Sequence, residues 1–108
     1  MTGGGLASCA SVAEVVALGT SVSGASGLRY STKILKAQAG AITIRFTNRS
    51  QLRHNVRLEI GEKEYGGTRT IGHGVTQVTV HLAKGVYHFY CSVPGHEDAG
   101  MSGKLTVS

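Results

Sequence analysis

An all-β fold, an antiparallel Greek-key sandwich or barrel, is predicted by three features of the sequence. Apolar and polar residues alternate with period two along most of the chain. Clusters of turn-forming residues interrupt the alternation at intervals of about ten positions. No window sustains a helical period, although Val12 to Leu18 fits either a short strand or a short helix.

Val12 to Leu18 and Lys33 to Ala37 read as short strands. Ile42, Ile44 and Phe46 then alternate with Thr43, Arg45 and Thr47. Val56, Leu58 and Ile60 alternate with Arg57 and Glu59, and the same period carries His54 onto the inward face with Val56. Val78, Val80 and Leu82 alternate with Thr79 and His81. Tyr87, Phe89 and Cys91 form one face of the following run, with Val86, His88 and Tyr90 on the other. Leu105 and Val107 close the chain. Turns are expected at Gly19 to Gly27, Ala39-Gly40, Asn48 to Gln51, Gly61 to Gly74 and Lys84-Gly85. The last joins two strongly alternating runs and reads as a tight hairpin. About seven strands result, in one domain over residues 12–108, with Gly-rich residues 1–11 as a flexible segment before it.

Composition removes several classes of function. The 108 residues are 41% apolar and 16% charged, which suits a folded domain, and no apolar run approaches a membrane span. Two cysteines, Cys9 and Cys91, cannot staple a mini-protein, and their separation excludes a paired-cysteine zinc site. Lys and Arg outnumber Asp and Glu by 11 to 6, a net charge of +5. The excess is local. From Val15 to Leu58 there is no acid but seven bases: Arg29, Lys33, Lys36, Arg45, Arg49, Arg53 and Arg57. These are either a solvated basic face or a docking surface for an acidic partner. They are not interleaved with aromatics, so nucleic-acid binding is not expected.

The chemistry is concentrated in Tyr87 to Met101, where Cys91, His96 and Met101 follow one another at five-residue intervals. Together with His54 they make a thiolate, two imidazoles and a thioether. That mixed set suits a copper ion cycling between Cu(I) and Cu(II), with three strong ligands in a plane and a weak axial thioether. The Cys ends a strand, Pro94 and Gly95 turn the chain back to His96, and Gly100-Met101 returns the thioether. Singly, each residue is more readily a buried thiol, a hydrogen-bonded core imidazole or core filler; their combination carries the argument.

From residue 12 onward the chain resembles the cupredoxins, the small type 1 blue copper proteins of the plastocyanin and azurin superfamily. The likeness rests on Ala39-Gly40, Asn48, His54-Asn55-Val56 and the stretch from Tyr87 to Val107. The ligand loop is similar in spacing to those of auracyanin and rusticyanin. The resemblance implies copper held by His54, Cys91, His96 and Met101, with Asn55 supporting the ligand loop and Tyr87 and Phe89 packing beneath the Cys. It also implies a monomeric one-electron carrier, not an enzyme, that docks transiently on cytochrome- or oxidase-like redox partners through the edge of His96. The docking rim would be Val93, Pro94, Ala99 and Gly100. A periplasmic or extracytoplasmic location is expected.

The alternatives are copper storage or delivery, and the type 1 domain of a larger oxidoreductase. Against the latter, Tyr90 and Ser92 flank Cys91 where copper enzymes of this kind place a further His, and the ligand loop has no second Cys. His54 and Cys91 are only 37 residues apart, so the connection between them should be trimmed. Tyr90 is either an exit for electrons beside Cys91 or an ordinary surface aromatic. His73, His81 and His88 read as exposed, with no role beyond adventitious metal binding. Leu6-Ala7-Ser8-Cys9 is similar to a bacterial lipoprotein processing site, which would make Cys9 a lipid anchor.

Overall fold

A computed structural model describes residues 13–20 and 28–108. The expectations for the segment 1–11, for Cys9 and for the turn at 21–27 lie outside the described residues. Among the described residues there are eight strands: β1 (Glu14–Gly19), β2 (Ile34–Ala37), β3 (Gly40–Asn48), β4 (Arg57–Ile60), β5 (Lys63–Gly67), β6 (Gly74–Leu82), β7 (Gly85–Tyr90) and β8 (Ser102–Val107). They form two sheets, one ordered β1-β3-β6 and the other β2-β8-β7-β4-β5. The fold is a β-sandwich with its core between the sheets.

The ambiguous first segment is a strand, paired with β3 from Glu14↔Ile42 to Gly19↔Thr47. That pair runs parallel, as does β2 with β8, while the other pairs are antiparallel. The expectation of an antiparallel sandwich is thus corrected to two mixed sheets. Alternation determines which face is buried, not strand direction. Between β1 and β3 the chain visits β2 in the other sheet, and such a crossover can return parallel.

The hairpin expected at Lys84-Gly85 is also absent. Among the described residues β6 pairs with β3, and β7 with β4 and β8, so Ala83-Lys84 crosses from one sheet to the other. The Tyr87 hydroxyl donates to the Ala83 carbonyl at 2.7 Å and braces this arch. A two-residue hairpin occurs instead at Gly61-Glu62, inside the stretch expected to be a turn. Gly61 has φ 58°, which the first central residue of a type II′ turn requires. Its second strand, β5, has Tyr65 as its one large apolar residue and so carries no alternation signal.

Period two does locate the core. Ile42, Ile44 and Phe46 on β3, Leu58 on β4, Tyr87 and Phe89 on β7, and Leu105 and Val107 on β8 are all buried. Each such side chain contributes about 1.5–3 kcal/mol by leaving water. Ile60, expected inside, sits at the hairpin end of β4 and is 42% exposed; Val78 and Val80 are half-buried. Tyr30 joins the sheets, with its ring 6.0 Å from Phe46 (edge-on) and 5.3 Å from Phe89.

Phe89 lies over Gly103, its register partner on β8. A Cβ at Gly103 would come within 2.3 Å of the Phe89 ring and 2.6 Å of the Lys33 carbonyl oxygen. Gly103→Ala should therefore destabilise the chain by at least about 1–3 kcal/mol in denaturant unfolding. Gly72→Ala, where a Cβ meets open space, should stay within about 0.5 kcal/mol of the parent.

Candidate metal centre

Cys91 follows the last residue of β7 and continues the inward face of Tyr87 and Phe89, so it is buried. Its backbone N–H donates to the Met101 carbonyl at 3.1 Å, which closes the loop immediately before β8. Between these points the loop is tightly coiled. The His96 N–H donates to Val93 O (3.0 Å), and the His96 carbonyl accepts from Ala99 N–H (3.2 Å) and Met101 N–H (3.1 Å). Gly95 at φ 85° and Gly100 at φ 110° make the turns that side-chain-bearing residues resist.

His54 arrives from the other side of the site. It precedes β4 instead of belonging to it, a correction to the expected strand. An isolated bridge holds it, with its N–H and C=O paired to Ile71 at 3.0 Å each. It is fully buried, as Met101 is, while His96 is half-buried.

These placements bring three donor atoms together. His54 Nδ1 and His96 Nδ1 are 3.1 Å apart, Cys91 Sγ lies 3.9 Å from the first, and 3.5 Å from the second. A triangle of those sides has a centre about 2.0 Å from each corner, which is the bond length of a metal to imidazole nitrogen and slightly under that to thiolate. The residues present therefore fit a metal ion, which these three donors would hold. Burial, reinforced by repulsion from His96, pushes the His54 imidazole down to about 4, so near neutral pH it keeps the lone pair that a ligand needs. The other nitrogen of His54, Nε2, is buried and has no hydrogen-bond partner among the described residues.

The surrounding groups hold the donors in place. Asn55 Nδ2 donates to Ser92 Oγ (2.8 Å) and Thr70 Oγ1 (2.9 Å), and Asn55 Oδ1 accepts from Ser92 N–H (2.9 Å). One amide thus ties the residue after His54 to the residue after Cys91, the role the sequence assigns to it. The Tyr30 hydroxyl donates to the Asn55 carbonyl at 2.5 Å, and burial raises its phenol far above the usual range. Lys33 Nζ donates to Gly100 O at 2.9 Å and Ser102 O at 3.4 Å, on either side of Met101.

The residues 16–108 match the family model of copper binding proteins of the plastocyanin/azurin family. The chain belongs to that family. His54, Cys91, His96 and Met101 stand in it as a type 1 copper site is arranged. Among solved structures it is similar to auracyanin A, a "blue" copper protein from the green thermophilic photosynthetic bacterium Chloroflexus aurantiacus. That match has 24% identity, covers 90% of this chain and 100% of the other, and has a TM-score of 0.77. Auracyanin from Roseiflexus castenholzii, solved in its dithionite-reduced form, is 24% identical over 91% and 98% of the two chains, with a TM-score of 0.72. Rusticyanin from Thiobacillus ferrooxidans is 20% identical over 87% and 76%, with a TM-score of 0.74. These likenesses establish the cupredoxin sandwich. No curated protein matches the chain in sequence.

The sequence assigned Tyr30, Thr70 and Lys33 no part in the site. Tyr30 sits in an isolated bridge with Thr20 next to a Gly- and Ser-rich stretch, so no periodicity marks it as buried. His73 and His81 are exposed, as expected. Tyr90 is stacked on His88 at 5.6 Å and its hydroxyl donates to Glu64, a bond that, with burial, raises the phenol to about 12.

Two outcomes follow from this geometry. Without metal, the folded chain takes a proton on His54 less readily than the unfolded chain, so the unfolded state binds more protons below about 6.5. Stability of the metal-free protein should be full above that pH and decline as pH falls toward about 4, by on the order of 3 kcal/mol. His54→Phe should flatten this part of the curve measured by urea unfolding. Asn55→Ala strands the Ser92 N–H and should cost about 1–3 kcal/mol in the same assay.

Proposed function

We propose that the chain is a one-electron carrier in which His54, Cys91, His96 and Met101 would hold a copper ion, two imidazoles and a thiolate as the strong donors and the thioether as the weak one. The observation that carries this reading is the triangle of two imidazole nitrogens and a thiol sulfur, whose centre already lies at metal-ligand distance. Copper bound there would supply the Cu(I)/Cu(II) couple.

The chain's own residues supply the rest. His54, Cys91 and Met101 are buried and exclude water, which leaves half-buried His96 as the member of the set that reaches the surface. Its rim carries exposed Pro94 and Ala99 with half-buried Val93 and Gly100, a small patch of the kind that binds briefly and releases. The Asn55 clamp and the coiled loop hold the donors in one geometry, and a fixed geometry lowers the reorganisation that electron transfer requires.

The partners on this reading are redox proteins, cytochrome- or oxidase-like, met transiently by a monomer in the periplasm or another extracytoplasmic compartment. No helix among the described residues is long and apolar enough to cross a membrane. Storage or delivery of copper is the weaker reading, because three of the four donors would have to be uncovered to hand the metal on.

Adding Cu(II) to the purified chain should produce an intense visible thiolate-to-copper band that Cys91→Ala abolishes. A colourless adduct overturns the reading. Met101→Gln should keep the band but lower the reduction potential in voltammetry, since a harder axial oxygen favours Cu(II). An unchanged potential would remove Met101 from the ligand set.

A further inference from the structure

We propose that Glu59, His88 and Glu97 form a second cation site, for a divalent transition-metal ion such as Zn²⁺, on the outer face of the five-stranded sheet. Three separate segments supply its donors. Glu59 on β4 is the register partner of His88 on β7, and Glu97 reaches them from the ligand loop. The three donor atoms lie within 4.8 Å of one another. His88 Nε2 is 2.8 Å from Glu97 Oε2 and 3.8 Å from Glu59 Oε2, so movements of half an ångström or so would set them about a common centre.

Donor chemistry and pre-orientation both favour a cation here. One imidazole with two carboxylates is a donor set that zinc accepts, with water completing the shell where the side chains are open to solvent. Among the described residues neither Glu59 nor Glu97 forms an ion pair with Lys or Arg, although the chain carries eleven such residues. Both carboxylates turn to an imidazole instead, while neighbouring Glu64 takes Arg57. The His88 ring is stacked nearly parallel on Tyr90, with 13° between the planes, and the Tyr90 hydroxyl is tied to Glu64. With the ring packed there, Nε2 faces the two carboxylates. The facing base is Lys104, opposite His88 on β8, and its exposed side chain is free to turn to solvent.

The site adjoins the first one without sharing a residue with it. Glu97 follows His96, so a cation bound to β4, β7 and Glu97 would fasten the ligand loop to the sheet at the residue beside a copper donor.

The test is Zn²⁺ uptake by the full chain at pH 7, measured by equilibrium dialysis, with amide resonances followed by NMR. His88→Gln should weaken one bound Zn²⁺ by at least about ten-fold. Glu97→Gln should do the same, while Asp98→Asn, the neighbouring carboxylate outside the cluster, should leave uptake unchanged. Cys91→Ser should remove only the other bound ion, so failure of the copper site and failure of this one are read separately. In the Cys91→Ser chain, Zn²⁺ should shift the amides of Glu59, His88 and Glu97, and it should not do so once His88→Gln is added. Equal Zn²⁺ uptake with and without His88→Gln, or shifts confined to other residues, would overturn the proposal.

Discussion

Two imidazole nitrogens and a thiol sulfur, held within 4 Å of one another in an almost dry interior, are the constraint on which this structure is organised. Polar atoms taken out of water need partners, and these three have one another: a shared proton or a cation satisfies them where water does not reach. The arrangement exists because each donor is fixed by a part of the fold that is stable for other reasons. Cys91 inherits its position from β7, whose inward residues Tyr87 and Phe89 are core. His54 is held by two backbone hydrogen bonds to Ile71, and the ring of His96 stands on a loop whose carbonyls and N–H groups are paired internally.

The joint between these parts is polar. Asn55 meets Ser92 with both ends of its amide, so the two chain segments that carry His54 and Cys91 cannot shift independently. A buried amide is a demanding choice for a joint, since each unpaired end would carry a desolvation cost. Here both ends are used, and Tyr30 takes up the Asn55 carbonyl as well. The aromatic set of Tyr30, Phe46 and Phe89 then couples the joint to the centre of the sandwich.

How much of this was legible depended on whether a residue type or a pairing carried the information. The strands β3, β7 and β8 were readable because their inward residues are large and strictly alternate. The candidate metal donors stood out because Cys, His and Met at regular intervals have few other joint explanations. Pairing was not readable. Parallel neighbours, the arch at Ala83-Lys84 and the strand Lys63–Gly67 depend on which strand meets which, and local sequence does not encode this. Asn55 was readable through the family likeness, whereas its partner Thr70 and the phenol of Tyr30 meet it only through the fold. The cluster of Glu59, His88 and Glu97 was missed for the same reason: its members are far apart in sequence and ordinary one by one.

The register of β7 on β8 has a consequence for how the chain assembles. Tyr90 faces Ser102, so the ligand loop is the closed end of an antiparallel ribbon spanning residues 85–107. Cys91, His96 and Met101 are brought together by contacts close in sequence, which cost little loop-closure entropy and form quickly. His54 depends on a bridge to Ile71 and on Asn55 reaching Ser92 across 37 positions. During folding, a nascent chain can therefore gather thiol, imidazole and thioether in one ribbon before the second imidazole docks and the pocket is sealed.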